Sequence, residues 1–227
     1  MKALTFICLT VLFAFAVCGK AAEPVVFDFS DKQEFEAVWK IRRSALHIPA
    51  SKFKVEKCSG ARDGKALVVE CNNSSGIALI SPPGLDFKKT PIMRWRWRVI
   101  RPVKFTGTQE PDDQAAAIYI CDGNTIRQFT ISYRWEIMRR PGSCLLKRYG
   151  GGAVTVFGIC MRNRATRAGE WVVEERNVLE DFRNCFKRDI RKRFAIGVAG
   201  NSQYTKSNTR VEIDYIEFLP EKKKKVR

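Results

Sequence analysis

The fold is decided by one stretch, Pro91-Ile92-Met93-Arg94-Trp95-Arg96-Trp97-Arg98-Val99, in which large apolar and cationic side chains alternate. Successive side chains of a β-strand point to opposite faces, so the two tryptophans share one face and the three arginines share the other. Two interpretations are open. Either the tryptophans are core and the arginines line a solvated or ligand-facing surface, or the tryptophans form the ligand platform.

Two later segments favour burial of the tryptophans. Residues 115–121 are typical of a strand with small side chains, which leaves room for a bulky neighbour to pack closely. In residues 131–137 the apolar side chains, among them Tyr133 and Trp135, again alternate with polar ones, among them Arg134 and Glu136. The repeated pattern predicts that the aromatic rows form the core and that the charged rows face outwards.

The turn signals along the chain predict a sandwich. About ten short strands separated by turn residues, with only two short helices, favour two packed sheets over an α/β fold. The first helix is expected to run from a cap at Ser30 to Trp39 and to bury Phe35, Val38 and Trp39. The second is expected to begin after Asn177. The fold class is therefore all-β, a jelly-roll-like antiparallel β-sandwich with one or two short helices.

The beginning of the chain predicts export. Residues 1–21 have the layout of a secretory signal peptide: a basic start, an apolar run, and small residues at the cleavage positions. The apolar run is shorter than the roughly 20 residues that span a bilayer. We therefore expect a signal peptide at 1–21, a single β-sandwich domain at 22–219 and a basic solvated tail at 220–227. No transmembrane span is expected, and the location is periplasmic or extracellular.

The charge of the chain favours anionic partners. Without Lys2 and Lys20 the 41 basic residues become 39 against 24 acidic ones, a net charge of +15. Acidic polysaccharides and other anionic envelope components are attracted by such a charge. Nucleic acid is not expected as a partner, because no basic module of a recognised type is present and because the protein is expected to be exported.

Six cysteines follow residue 21, and an even number in an exported protein suggests disulfides. Cys58 and Cys71 flank an expected hairpin and are the one pair we suggest. His47 is the sole histidine, and no Cys-x-x-Cys motif occurs. These features argue against a structural zinc site and against a histidine-based catalytic triad.

Several short motifs, taken in order, resemble an uncharacterised bacterial family of exported domains, domain of unknown function 3047. These motifs are residues 90–99, 112–116 and 133–135, Gly169-Glu170-Trp171 with residues 175–178 and 181–182, and Ile213-Asp214-Tyr215-Ile216. The chain departs from the family where an Asp-Thr-Asp-Asn-Thr type loop is replaced by Ala199-Gly200-Asn201-Ser202. If those aspartates bind a metal or perform chemistry, this chain lacks that capacity. The resemblance implies one exported domain and no known activity.

A looser similarity is to carbohydrate-binding jelly rolls. An early Phe27-Asp28-Phe29 strand, Trp39 and the closing strand at 213–216 recur in such modules. This similarity is one of fold, and fold does not fix function.

The sequence predicts a ligand-binding groove on the charged face. Its candidate residues are Arg94, Arg96, Arg98, Arg134, Asp112 and Asp113. The expected function is that of an exported, non-catalytic module that binds carbohydrate or an anionic envelope polymer.

Three alternatives remain open at the sequence level. The first is a carbohydrate-active hydrolase, for which the candidate catalytic carboxylates are Asp112, Asp113, Glu136 and Glu174. Two of these in an open cleft without an arginine between them would favour the enzyme, whereas an arginine-paired arrangement would favour a binding or structural module. The second is a purely structural envelope protein. The third adds a structural calcium at Asp28 or Asp214, and otherwise no cofactor is expected.

Overall fold

The computed structural model describes residues 22–124, 126–191 and 193–222. The expected signal peptide and residues 223–227 of the expected tail lie outside these ranges. Within them, no helix combines the length and the hydropathy that crossing a bilayer requires.

Thirteen strands and two α-helices make up the described chain. In chain order they are β1 (Val25–Phe27), α1 (Lys32–Val38), β2 (Lys40–Arg43), β3 (Lys52–Lys57), β4 (Lys65–Asn72), β5 (Ser75–Ile80), β6 (Ile92–Arg101), β7 (Gln114–Gly123), β8 (Gln128–Trp135), β9 (Cys144–Tyr149), β10 (Val154–Arg162), β11 (Val172–Asn177), α2 (Val178–Phe186), β12 (Phe194–Asn201) and β13 (Asn208–Leu219). A single 3-10 turn, Gly150–Gly152, joins β9 to β10.

The strands form two sheets that pack face to face. The first sheet has the order β11-β6-β13-β4-β3, and β1 also pairs with β13. The second sheet has the order β2-β5-β12-β7-β8-β10-β9. This is the predicted jelly-roll-like β-sandwich.

One strand pair departs from the antiparallel pattern. Strand β10 runs parallel to β8, whereas it is antiparallel to β9. The reason is the extra strand β9: it forms a hairpin with β10 and reverses the chain, so that β10 runs in the same direction as β8. Strand β9 was not predicted from the sequence pattern.

The tryptophans of the deciding stretch are core, as predicted. Trp95 and Trp97 are fully buried between the sheets. The ring of Trp95 lies 5.3 Å from that of Tyr133, and the ring of Trp97 lies 5.5 Å from that of Trp135. Aromatic rows from β6 and β8 therefore meet across the middle of the sandwich, which fixes the opposite faces of both strands as the outside.

The first helix begins one residue later than predicted. Asp31, and not Ser30, is the N-cap, because its carboxylate accepts hydrogen bonds from the backbone N–H groups of Gln33 and Glu34. Phe35 and Trp39 are buried as expected, but Val38 is 43% exposed. The helix ends at Val38, and the extended Trp39 stacks on Phe35 at 5.9 Å and closes this part of the core instead.

The second helix is capped as predicted. The Asn177 side chain accepts a hydrogen bond from the backbone N–H of Glu180. Val178 and Phe182 are fully buried and attach the helix to the core.

The suggested Cys58–Cys71 disulfide is wrong. All six cysteines of the described chain are free thiols. Cys71 lies in the main core, whereas Cys58 packs on the outer side of β4 with Ala66 and Val68. Because the two thiols are on opposite faces of one sheet, they cannot meet. Burial raises the pKa of the Cys58 thiol to about 11.

Candidate functional site

The two arginine rows lie on opposite outsides of the sandwich. Arg94, Arg96 and Arg98 belong to β6 in the first sheet, and Arg134 belongs to β8 in the second. Since the aromatic sides of β6 and β8 face each other, the charged sides point in opposite directions. The structure therefore does not bring the predicted residues together into a single groove.

The β6 arginines are engaged with carboxylates of neighbouring strands. Arg94 lies 2.7 Å from Glu175 and 3.3 Å from Glu217. Cross-strand pairs of opposite charge stabilise a sheet. The other two arginines are paired in the same way: Arg96 with Asp214 at 2.8 Å and Arg98 with Glu212 at 2.6 Å.

Trp171 completes this surface. The guanidinium carbons of Arg96 and Arg98 lie 4.7 and 4.3 Å from its ring centroid, which is cation–π distance. The indole N–H of Trp171 donates to the carbonyl of Ser59. Around β6, the outward-facing side chains of the first sheet are thus paired with one another, which stabilises the sheet.

The outer face of the second sheet carries a cleft of about 420 Å³. Strands β5, β7, β8, β9, β10 and β12 contribute to it, together with the loop before β7 and the loops after β2 and β12. Its lining residues are Ser44, Ala45, Ile48, Ser75, Gly76, Ile77, Asp112, Gln114, Tyr119, Arg134, Tyr149, Val154, Val156, Ala199, Gly200, Asn201, Gln203 and Tyr204.

Small residues at outward-facing positions leave room for the cleft. Ala199 of β12 pairs with Ala117 of β7, which in turn pairs with Arg134 of β8. Neither alanine side chain reaches far above the sheet, so Arg134 lies beside an open floor. The small residues of β7 were expected to leave room for the tryptophans in the core. Because alternate residues point to opposite faces, they also leave room on the outer face, where the cleft lies.

Arg134 is the centre of the polar network in the cleft. It is only 3% exposed. Its Nη2 donates to Gln114 Oε1 at 2.7 Å and to Asp112 Oδ1 at 3.1 Å. Its Nε lies 3.0 Å from Glu136 Oε1, although the two atoms are not aligned as a hydrogen bond. The contacts with two carboxylates and one amide fix the plane of the buried Arg134 guanidinium group.

Asp112 connects this centre to two further strands. The Tyr149 hydroxyl donates to Asp112 Oδ2 at 2.5 Å, and the Asn201 Nδ2 donates to the Asp112 backbone carbonyl at 2.7 Å. Residues from β8, β9 and β12 therefore converge on one aspartate. The arrangement is rigid, because each polar group restrains the next.

The charge states in the cleft follow from burial. Burial raises the pKa of Glu136 to about 7, although the nearby Arg134 opposes this effect. For Arg134, burial lowers the pKa, but the carboxylates around it outweigh burial and leave the pKa raised. Burial raises the pKa of Tyr149, and the hydrogen bond to Asp112 raises it further. At neutral pH the cleft therefore presents the charged guanidinium of Arg134 and the protonated hydroxyl group of Tyr149.

Two exposed aromatic side chains belong to the cleft. Tyr149 is 43% exposed and Tyr204 is 61% exposed, unusually high values for tyrosine. Tyr119, which is more buried, comes from β7 and adds a third ring. Rings of this kind offer flat apolar faces with a polar rim.

Asp113 has a supporting role, although it neighbours Asp112 in sequence. It is fully buried and does not line the cleft. Its carboxylate accepts hydrogen bonds from the backbone N–H groups of Tyr204 and Thr205, and from the Thr205 hydroxyl at 2.7 Å. Burial raises the pKa of Asp113. The residue therefore holds the loop that carries Tyr204.

The candidate catalytic carboxylates are separated or paired with arginine. Asp112 and Glu136 both contact Arg134, which lies between them. Glu174 belongs to β11 in the first sheet and binds Arg162 at 2.5 Å. Of the two arrangements expected from the sequence, the arginine-paired one is present in the cleft.

The candidate metal ligands and His47 lie elsewhere. Asp28 accepts hydrogen bonds from Ser30, and Asp214 accepts them from Arg62 and Arg96. No group of three or more acidic, histidine or cysteine side chains in the described ranges is arranged to hold a metal ion. His47 lines a neighbouring depression that shares Tyr204 with the cleft.

Arg134 and Asp112 were predicted as binding residues from the sequence pattern, whereas most of the other cleft residues were not. Tyr149 lies in strand β9, which was not predicted, and Tyr204 lies in the loop between β12 and β13. Gln114 directly follows the noted Asp112-Asp113 pair. The alternation of Tyr119 with apolar Ile118 and Ile120 was an available signal, since it places the tyrosine on the outside.

Comparison with known families settles the membership of the chain. Residues 37–217 match the family described as Protein of unknown function (DUF3047). The chain belongs to this family. The match includes every cleft residue from Ser44 to Tyr204, so the cleft is part of the DUF3047 domain itself. No curated protein sequence matches the chain.

Solved structures with a related architecture include sugar-binding modules and a hydrolase. Two are described as the family 11 carbohydrate-binding module from Clostridium thermocellum. One, in complex with a β-1,3-1,4-mixed-linked tetrasaccharide, has 10% identity, covers 88% of this DUF3047 chain and 98% of its own, and has a TM-score of 0.47. The other, from cellulase Lic26A-Cel5E, has 10% identity, coverages of 81% and 88%, and a TM-score of 0.44. The family GH12 endoglucanase 3 of Trichoderma harzianum has 8% identity, coverages of 81% and 98%, and a TM-score of 0.39. These values are too low to assign a function.

Proposed function

We propose that this DUF3047 protein is an exported, non-catalytic module that binds a neutral polysaccharide chain in the cleft of the second sheet. The observation that carries the proposal is the convergence of exposed tyrosines and a fixed polar network on one open cleft. Export is supported by the pattern of residues 1–21, and extended glycans are one class of ligand that an exported protein encounters.

The aromatic residues suit the apolar face of a sugar ring. Tyr149 and Tyr204 keep large fractions of their rings in solvent, and exposing such area without a partner is unfavourable. A pyranose ring covers a tyrosine face while its hydroxyl groups reach the surrounding polar atoms. The loop of Tyr204 is anchored by Asp113, so the ring is held in place before a ligand arrives.

The polar residues suit hydroxyl groups. Arg134, Gln114, Asp112 and Asn201 present planar donors and acceptors, and their mutual hydrogen bonds fix their orientation. Preorganised groups lose little entropy when a ligand binds.

The charge balance favours a neutral glycan over an anionic one. Among the lining residues, Arg134 and Asp112 are the charged pair, and they neutralise each other at 3.1 Å. The three β6 arginines, which were expected to attract an anionic glycan, lie on the other sheet. An acidic sugar would therefore gain little from charge in this cleft.

The position of Arg134 between carboxylates disfavours hydrolysis. A glycosidase needs two carboxylates on either side of the scissile bond with their pKa values well separated. Asp112 lines this cleft but Glu136 does not, and the Arg134 guanidinium lies between the two carboxylates and contacts both. No sugar bond can take that position without displacing the arginine.

The test is a screen of neutral and acidic polysaccharides against the mature chain, read for binding and for released reducing ends. Tyr149→Ala and Tyr204→Ala are expected to weaken binding of the best ligand about five-fold or more each. Trp171→Ala is the matched control, because it removes an aromatic residue from the opposite sheet. Binding that survives both tyrosine changes would refute the site. Release of reducing ends would favour the hydrolase, and no binding at all would favour a structural envelope protein.

A further inference from the structure

A second depression, of about 400 Å³, lies away from the cleft, beside the turn that joins β7 to β8. The segment between α2 and β12 forms its other wall. Its lining residues are Asn124, Ile126, Arg127, Phe129, Arg188 and Arg191. Three of these six carry a guanidinium group, and no lining residue is acidic.

One buried carboxylate serves two of the three arginines. Asp122 is fully buried below the depression. It accepts hydrogen bonds from Arg188 Nη2 at 2.8 Å, from the backbone N–H of Arg191 at 2.9 Å and from Arg191 Nε at 3.4 Å. Asp122 thus fixes both side chains, but it neutralises only one of the two positive charges.

The third arginine is held by an aromatic ring. The guanidinium carbon of Arg127 lies 5.1 Å from the Phe129 ring centroid, and that of Arg188 lies 4.9 Å from the same centroid. Both guanidinium groups contact the same ring, and their positive charges repel each other. No described carboxylate forms a salt bridge with Arg127, so the site has a surplus of two positive charges.

The geometry points to an oxyanion ligand. We propose that this depression binds a phosphate group. Phosphate carries up to two negative charges at neutral pH, which matches the surplus, and guanidinium groups bind its oxygens through paired N–H donors. The site is independent of the cleft and of its proposed function, since the two share no residue.

The phosphate group has two possible sources, free phosphate and the headgroup of an anionic lipid. Ile126 stands at the edge of the depression and is 80% exposed. Next to a lipid headgroup this side chain would enter the apolar part of the membrane interface, whereas free phosphate has no apolar part for it to contact.

The test measures binding of inorganic phosphate by titration calorimetry, and cosedimentation with phosphatidylcholine vesicles that contain or lack phosphatidylglycerol. Arg127→Gln is expected to weaken whichever interaction is observed about ten-fold, because it removes one charged donor. Arg127 makes no hydrogen bond through its side chain to a described residue, so the variant should fold. The matched control is Arg167→Gln, which removes the same charge from the turn between β10 and β11.

The two sources give different results. Free phosphate as ligand predicts saturable phosphate binding that Ile126→Ser leaves unchanged. A lipid headgroup predicts binding that requires phosphatidylglycerol and that Ile126→Ser weakens several-fold. The proposal is overturned if neither probe binds, or if Arg167→Gln weakens binding as much as Arg127→Gln does. Tyr149→Ala should leave phosphate binding unchanged, which separates this site from the glycan cleft.

Discussion

Replacing Glu136 by glutamine is expected to remove a large part of the pH dependence of folding stability. Glu136 is 4% exposed, and burial raises its pKa from 4.5 to about 7. The folded protein therefore keeps this proton up to about pH 7, whereas the unfolded chain loses it near pH 4.5. Between these two pH values the folded state binds more protons, so stability falls as the pH rises through this interval.

The magnitude follows from the size of the pKa shift. Each pKa unit corresponds to about 1.4 kcal/mol, so the shift of Glu136 corresponds to about 3 kcal/mol. Stability from this group is fully present below pH 4.5 and is lost above pH 7. Glutamine keeps the shape and an acceptor oxygen for Arg134 but cannot ionise. The stability of Glu136→Gln relative to the wild type should therefore increase by about 3 kcal/mol between pH 4.5 and pH 8.

Urea denaturation at closely spaced pH values measures this difference. The free energy of unfolding of each protein is compared at each pH, which cancels the contribution of other titrating groups such as Asp113. Glu170→Gln, at an exposed position in the turn before β11, is the control and should run parallel to the wild type. If the Glu136→Gln and wild-type curves are also parallel, the reasoning about the buried carboxylate is refuted.

Three further predictions concern the core, the Tyr204 loop and the thiols. Trp97→Ala should lower the free energy of unfolding by about 3–5 kcal/mol, because it removes a fully buried ring between Trp95 and Trp135; a loss below about 1 kcal/mol in urea denaturation would contradict this packing. Asp113→Ala should lower the free energy of unfolding by about 1.5–3 kcal/mol and should speed hydrogen exchange at the Thr205 amide, because it removes the acceptor of that amide. The control Asp63→Ala, at an exposed turn position, should change neither quantity. Unchanged exchange in Asp113→Ala would mean that Asp113 does not hold the loop. Cys144, the one exposed thiol of the six described, should react first with a thiol reagent in the native protein, and rapid reaction of the buried Cys71 would argue against the core as described.

The sandwich itself could be predicted from local pattern. Alternation in β6 and β8 has a period of two, and a strand is the only regular structure that converts this period into one apolar and one polar face. The helix that follows the N-cap Asn177 was predicted for a similar reason, because capping depends on a few neighbouring residues. The cap at Ser30 was misplaced by one residue, since the neighbouring Asp31 accepts the hydrogen bonds from the first turn of the helix. The exposure of Val38 depended on how the chain leaves the helix, which is a tertiary matter.

The candidate site could be predicted only in part. Arg134 and Asp112 were identified by type and spacing, but the residues that make the cleft open and aromatic come from distant parts of the chain. Tyr149 and Asp112 are 37 positions apart, and Asn201 and Asp112 are 89 apart. Such pairings depend on the order of strands in the sheet, and strand order leaves no local pattern in a single sequence.

The sequence by itself determined that the tryptophans of residues 91–99 are core and that the arginines between them face outwards. It could not determine on which of the two outer faces of the sandwich these arginines lie. Alternation determines which side chains share a face of one strand. The sheet that the strand joins, and the sheet that packs against it, depend on the packing of the whole chain. Only the tertiary structure placed the β6 arginines and Arg134 on opposite surfaces. It neutralised the β6 row with neighbouring carboxylates and left the open cleft around Arg134 alone.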